Sequence, residues 1–177
     1  MNTIRILPEK VASQIAAGEV IERPASVVRE LIDNSIDAKA DRISVKVERG
    51  GKGLIKVTDN GMGMGKDDLL LCLERHATSK IRTASDLVKI TSFGFRGEAI
   101  PSMAAVSRMQ ITSLPQKELL GNRVRISGGK LLAIEEVGAP PGTIVEIKDL
   151  FFNIPARRKF LKTPRTEMSH MVDTVLR

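Results

Sequence analysis

The sequence predicts an α+β fold, a sandwich in which a mixed, mostly antiparallel sheet is covered on one face by helices. Residues 107 to 148 contain four extended segments separated by turn residues, with no helix between them, and such strands pair as neighbours in an antiparallel or mixed sheet. Earlier, Val28, Leu31, Ile32 and Ile36 recur at three- and four-residue intervals, the period of a helix with one apolar face. At 177 residues and 42% hydrophobic, the chain can bury one good core, so a single domain over 1–177 is expected.

In chain order, helices are expected near 9–20 and 25–40. On the second, at 100 degrees per residue, Glu30, Asn34 and Asp37 share the face opposite the apolar one. No lysine or arginine lies on that stripe, so it is either a solvated side or a place where a divalent cation supplies the charge. Asn and carboxylate oxygens suit Mg²⁺, which takes one or two protein groups and completes its shell with phosphates and waters. Residues 42–48 alternate Ile43, Val45 and Val47 with polar neighbours, and after Gly50-Gly51-Lys52-Gly53 the extended pattern resumes at Leu54 to Val57. That hairpin delivers Asp59 to a strand end, followed by Asn60-Gly61-Met62-Gly63-Met64. Gly61 and Gly63 permit torsions and close approach that a side chain forbids. Alone this is an ordinary turn; beside an acidic helix it suggests a nucleotide site.

A helix near 67–75 follows, and Cys72 within apolar Leu69 to Leu73 reads as a structural thiol. Arg75 to Lys80 then brings hydroxyls at Thr78 and Ser79 and a cation at Lys80. The cluster Ser92-Phe93-Gly94-Phe95-Arg96-Gly97-Glu98-Ala99 precedes a helix near 98–106, with Pro101 tolerable in its first turn. A glycine-rich helix N-terminus offers free N–H donors to a phosphate. The spacing is not that of a Walker A loop. Strands are expected at Ser107 to Leu114, Asn122 to Ser127, Leu131 to Val137 and Thr143 to Lys148, with turns at 127–130 and 139–142.

The net charge of +7 gathers partly in Arg157, Arg158, Lys159, Lys162 and Arg165. Such a patch either neutralises DNA phosphates in a salt-dependent, sequence-blind way or is a solvated face. With no Trp or Tyr and five Phe, base stacking is not the expected main mode. No apolar run approaches the roughly 20 residues of a membrane span, and the N-terminus lacks a signal-peptide core. A single cysteine rules out an internal disulfide and suits a reducing, cytoplasmic compartment. His76 and His170 are too isolated to suggest zinc.

Taken with these site motifs, the segments Ile15 to Val28, Arg75 to Lys80, Gly94 to Ala99 and Leu150 to Leu161 make the chain resemble the N-terminal ATPase region of the MutL-type DNA mismatch repair family. That family shares the Bergerat ATP-binding fold with gyrase B subunits, ninety-kilodalton heat-shock chaperones and histidine kinases. The resemblance implies that Glu30 is the general base orienting water, that Asn34 holds Mg²⁺, and that Asp59, helped by Thr143, accepts the adenine amino group. It implies a lid of Gly61, Gly63, Thr78, Ser79, Lys80, Gly94, Phe95, Arg96, Gly97 and Glu98, with Asp37, Ala38 and Met64 also in the ATP-binding set. Asp33 stands where the family commonly has Glu, and Ile154 where Thr is usual. Family members continue into a second domain that supplies a lysine to the γ-phosphate, so a truncated chain that binds Mg-ATP but turns it over slowly is expected. The implied partners are ATP, a second copy associating when ATP binds, a mismatch-sensing MutS-type protein and non-specific DNA, through Arg157, Arg158, Lys159 and Lys162. Two alternatives are a DNA-binding or docking scaffold with a vestigial pocket, and a gyrase-like or chaperone ATPase, which Phe151 to Phe160 argues against.

Overall fold

Residues 4–75 and 97–177 are described by the computed structural model. Helices α1 (Glu9–Val20) and α2 (Pro24–Asp37) precede the hairpin of β1 (Ile43–Glu48) and β2 (Leu54–Asp59). Two short helices, α3 (Lys66–Leu71) and α4 (Ala99–Ala105), lead into β3 (Arg108–Leu114), β4 (Gly121–Ser127), β5 (Lys130–Val137) and β6 (Gly142–Lys148), and then α5 (Pro155–Phe160) and α6 (Pro164–Val175). The strands form one sheet in the order β1-β2-β6-β3-β4-β5, and every pairing is antiparallel. Of the antiparallel and mixed alternatives, the first is therefore the one adopted. The last strand inserts between β2 and β3, which sets the end of β2 beside the start of β6.

Directly opposed residues in antiparallel strands project to the same face. Val57, Val145, Ile111 and Val124 are opposed in turn across four strands and are all buried. With Ile55, Met109 and Ile147 they make the sheet's side of the core, and Val27, Val28 and Leu31 of α2 close it from above. The other face carries charges that pair across strands, Lys56 with Glu146 at 3.2 Å and Arg123 with Glu135 at 3.9 Å. Pairs on a face that solvent still reaches contribute little to stability, and the apolar face carries the fold.

Helix α2 departs from the expected apolar face at its last turn. Ile36 is 44% exposed, and the inward position belongs to Ser35, at 3%. Ser35 lies seven residues after Val28, two helical turns, so it stays in line with the core, whereas Ile36 is rotated off by a further 100 degrees. The helix stops at Asp37 because Lys39 turns left-handed, at φ 62°. Helix α3 is shorter than the expected 67–75, since beyond Leu71 the chain tightens, with Leu73 N–H donating to the Leu70 carbonyl and Glu74 N–H to that of Leu71.

Around the sheet, α1 packs on α4 and α2 on α6. The Arg157 guanidinium lies 5.6 Å from the centre of the buried Phe151 ring and against Gly18 of α1, where a larger residue would collide with it. Glu167, 1% exposed, turns its carboxylate back to accept from Lys162 N–H at 2.8 Å and so closes the start of α6. No helix among the described residues is long and apolar enough to cross a membrane.

The half-buried thiol of Cys72 donates to the Leu69 carbonyl at 3.1 Å. Burial, reinforced by the Asp68 carboxylate, pushes it from 9.0 up to about 12. An unfolded chain ionises this thiol first, so the stability it contributes is complete below pH 9.0 and is lost as pH rises toward about 12. Alkylation by iodoacetamide at pH 8 is expected to run at least about 100-fold slower in the native protein than in urea, since the thiolate is the attacking species. Equal rates would show a thiol in free contact with solvent.

Candidate functional site

Three adjacent strands meet at one end of the sheet's covered face. Asp59 opposes Thr143 between β2 and β6, and Thr143 opposes Ser113 between β6 and β3. Ser113 and Thr143 join their hydroxyls at 2.8 Å, and both are buried. Ser113 Oγ also accepts from Met64 N–H at 2.8 Å, which ties the turn after β2 down to the sheet. The half-buried Asp59 carboxylate is fixed at both oxygens. Oδ2 accepts from Ser35 Oγ at 2.9 Å, and Oδ1 accepts from Gly61 N–H at 2.9 Å. A carboxylate has about four lone-pair directions, so after these two bonds it can still accept from a ligand donor.

The backbone of the turn is braced from several sides. Asn60 Oδ1 accepts from the N–H groups of Asp41 and Arg42 at 3.1 and 3.0 Å, while its Nδ2 donates to the Asp41 carboxylate. Gln116 Nε2 donates to the carbonyls of Asn60 and Gly61, and Met62 N–H donates to that of Ala38 at 2.9 Å. Gly61 is needed for close approach: a Cβ there would lie 2.7 Å from the Ala38 carbonyl oxygen and 3.1 Å from Asp59 Oδ1. Its absence brings the end of α2 and the carboxylate side by side. Gly63 follows at φ 70°.

Glu30, Asn34, Asp37 and Ala38 are all half-buried along α2, the helix that reaches Asp59 through Ser35. Gly97, at φ 62°, and Glu98 lie at the entry to α4. Thr78, Ser79, Lys80, Gly94, Phe95 and Arg96 lie outside the described residues. Of the basic cluster, Arg158, Lys159 and Lys162 are exposed, while Arg157 is partly buried under its contacts with Phe151 and Gly18.

Ser35, Ser113 and Gln116 were absent from the expected set. For the first two a signal existed: each is a polar residue where the local period points inward, Ser35 after Val28 and Leu31, Ser113 after Met109 and Ile111. Gln116 had none, since it reaches the site from a loop with no period. Chemically, the assembly offers an immobilised anionic acceptor at the end of β2, a hydroxyl pair beside it, and hard oxygen donors along one helix face. That set fits a flat ligand with an exocyclic amino group, and it fits a divalent cation at the amide and carboxylate oxygens of α2.

The family described as "Histidine kinase-, DNA gyrase B-, and HSP90-like ATPase" matches residues 21–130. Over 171 residues the chain is 58% identical to the DNA mismatch repair protein MutL of Acidobacterium capsulatum, covering 97% of this chain and 26% of that protein. The MutL protein of Symbiobacterium thermophilum is 55% identical over 177 residues, 100% of this chain and 28% of the relative. The chain thus spans about a quarter of the length of the curated relatives it matches. Among solved structures, the Aquifex aeolicus MutL ATPase domain complexed with ADP superimposes with a TM-score of 0.68 at 36% identity, over 88% of this chain and 54% of that one. The N-terminal domain of a DNA repair protein gives 0.76 at 26% identity, over 93% and 47%.

Proposed function

This chain belongs to the family of histidine kinase-, DNA gyrase B- and HSP90-like ATPases, as a MutL-type ATPase domain, and we propose that it is a Mg-ATP-driven switch for mismatch repair. The observation that carries this reading is the doubly fixed Asp59 carboxylate at the end of β2, beside Thr143. In this reading Asp59 accepts the adenine amino group and the Thr143 hydroxyl assists. Guanine has a carbonyl oxygen where adenine has the amino group, so it would set acceptor against acceptor and be rejected. Gly61, Gly63 and Met64 lie along the nucleotide, with Asp37 and Ala38 opposite. Gly97 and Glu98, and by family resemblance Thr78 to Lys80 and Gly94 to Arg96, close over the phosphates.

Glu30 is the proposed general base: a carboxylate suffices to orient a water, because phosphoryl transfer asks mainly for position and charge neutralisation. Asn34 would hold Mg²⁺, which when bound neutralises phosphate charge. The proposed switch is closure of the lid with ATP, association of two copies, and release after hydrolysis. Exposed Arg158, Lys159 and Lys162 support non-specific DNA contact, and a mismatch-sensing MutS-type protein is the proposed upstream partner.

The family resemblance implies that a lysine from a second domain meets the γ-phosphate, so residues 1–177 tested alone are expected to turn ATP over slowly or not measurably. A hydrolysis rate equal to that of a full-length relative would sink that expectation. Association is tested by sedimentation velocity with and without a non-hydrolysable ATP analogue. The proposed switch predicts a dimer with the analogue and a monomer without it; unchanged mass at saturating analogue would remove the switch for this chain.

A further inference from the structure

An open cleft of about 880 Å³ lies between the first turn of α3 and the far end of β4 and β5. It is separate from the Asp59 carboxylate but continues the same polar row, since Ser113 opposes Asn122 and Asn122 opposes Glu136. Asn122 lines the cleft and is only 7% exposed, yet its side-chain amide has no hydrogen-bond partner among the described residues. The residue is nearly all covered, and its amide meets only the solvent of the cleft, where a ligand can bond to it.

The charges around it point to the kind of ligand. Among the described residues, Asp67, Asp68, Glu118 and Glu136 line the cleft against a single cation, Lys66, in a chain whose net charge is +7. None of those four carboxylates has an ion-pair partner among the described residues. A cleft lined by one sign of charge concentrates the opposite sign. A bare metal ion is not the match, because no group of acidic, histidine or cysteine side chains among the described residues converges closely enough to hold one. An organic cation with several spread donors is. Guanidinium presents five N–H groups in a planar fork, which can serve carboxylates at the rim and an amide oxygen at the floor together. Leu119 and Leu120, 95% and 54% exposed, stand at the mouth and offer apolar surface to whatever carries the cation.

We propose that this cleft receives an arginine side chain from a segment of a partner protein, held between the Asn122 amide and the surrounding carboxylates, with a flanking apolar residue against Leu119 and Leu120. The site is independent of the nucleotide reading, because none of its residues belongs to the proposed ATP-binding set. The probe is N-acetyl-argininamide, titrated at low salt into the isotopically labelled chain while the Asn122 side-chain amide resonances are followed by NMR. A saturable shift is expected with the arginine probe, and little or none with the isosteric but neutral citrulline analogue. The exposed double variant Asp67→Asn/Glu136→Gln should weaken the arginine probe about fivefold and leave ATP-analogue affinity unchanged. Equal responses to the arginine and citrulline probes, an equal response to N-acetyl-lysinamide, or no saturation would overturn the proposal.

Discussion

Asp59→Asn is expected to lower affinity for an ATP analogue by about two orders of magnitude while leaving the fold intact. The substitution is isosteric, and the surroundings dictate how the amide sits. Gly61 N–H needs an acceptor, so the amide oxygen takes the place of Oδ1 and the amide nitrogen that of Oδ2, facing Ser35. Ser35 tolerates this, because its hydroxyl hydrogen can go entirely to the Leu31 carbonyl at 3.0 Å and its oxygen can accept from the new N–H. No buried group is left unpaired, so the melting temperature should move by only a few degrees. A ligand amino group, in contrast, loses both the negative charge and an acceptor, and meets a donor in its place. A charge-assisted hydrogen bond of this kind contributes about 1.5–3 kcal/mol, and opposing two donors adds to the loss. Calorimetric titration of both proteins with an analogue and Mg²⁺ measures it. Affinity within threefold of the parent would remove Asp59 as the adenine acceptor.

Gly142→Ala should be the more damaging change to stability. Gly142 opens β6 at φ 116°, a conformation L residues rarely adopt, and its added Cβ would run into the backbone carbonyl of Asp59 and lie 2.8 Å from Asn60 Cα. Those are backbone atoms of the paired strand and its turn, so they cannot rotate aside as a side-chain tip could. The expected loss is about 2–4 kcal/mol, or roughly 5–15 °C in melting temperature for a chain of this size. Because the shift falls on the register of Asp59 with Thr143, nucleotide affinity should drop as well. Gly138→Ala is the control: a Cβ there meets nothing within 4 Å, and its effect should stay within about 0.5 kcal/mol. Equal melting of the two variants would show that the β2–β6 junction yields freely.

Much of the fold is legible in the residues themselves, for local reasons. Turn residues bracket each strand, so the last four strands lie within a residue or so of expectation. The first helix falls at Glu9–Val20 as expected, and Pro101 occupies the third position of α4, where its missing N–H costs no helical bond. Helix ends were less legible. Where α2 stops depends on Lys39 turning left-handed under the loop that follows β2, and nothing within 25–40 announces that. Arg157 looked like one of several equivalent surface cations, yet in the fold it packs on Phe151 and Gly18, residues of other segments that no helical period relates to it.

Periodicity and turn composition determined by themselves the six strands, helices α1 to α4, the α+β class and the position of Asp59 at a strand end, because each depends on neighbours within a few residues. Helix α5 carried no such signal, and the family was legible only as a resemblance of whole segments. Only the tertiary structure decided that β6 passes between β2 and β3, that Ser35 rather than Ile36 faces inward to hold the carboxylate, and that Thr143, Ser113 and Asn122 continue the row begun by Asp59. Strand order and the pairing of distant side chains minimise exposed apolar surface and unpaired polar groups over the whole chain at once, and no window of local sequence contains that sum.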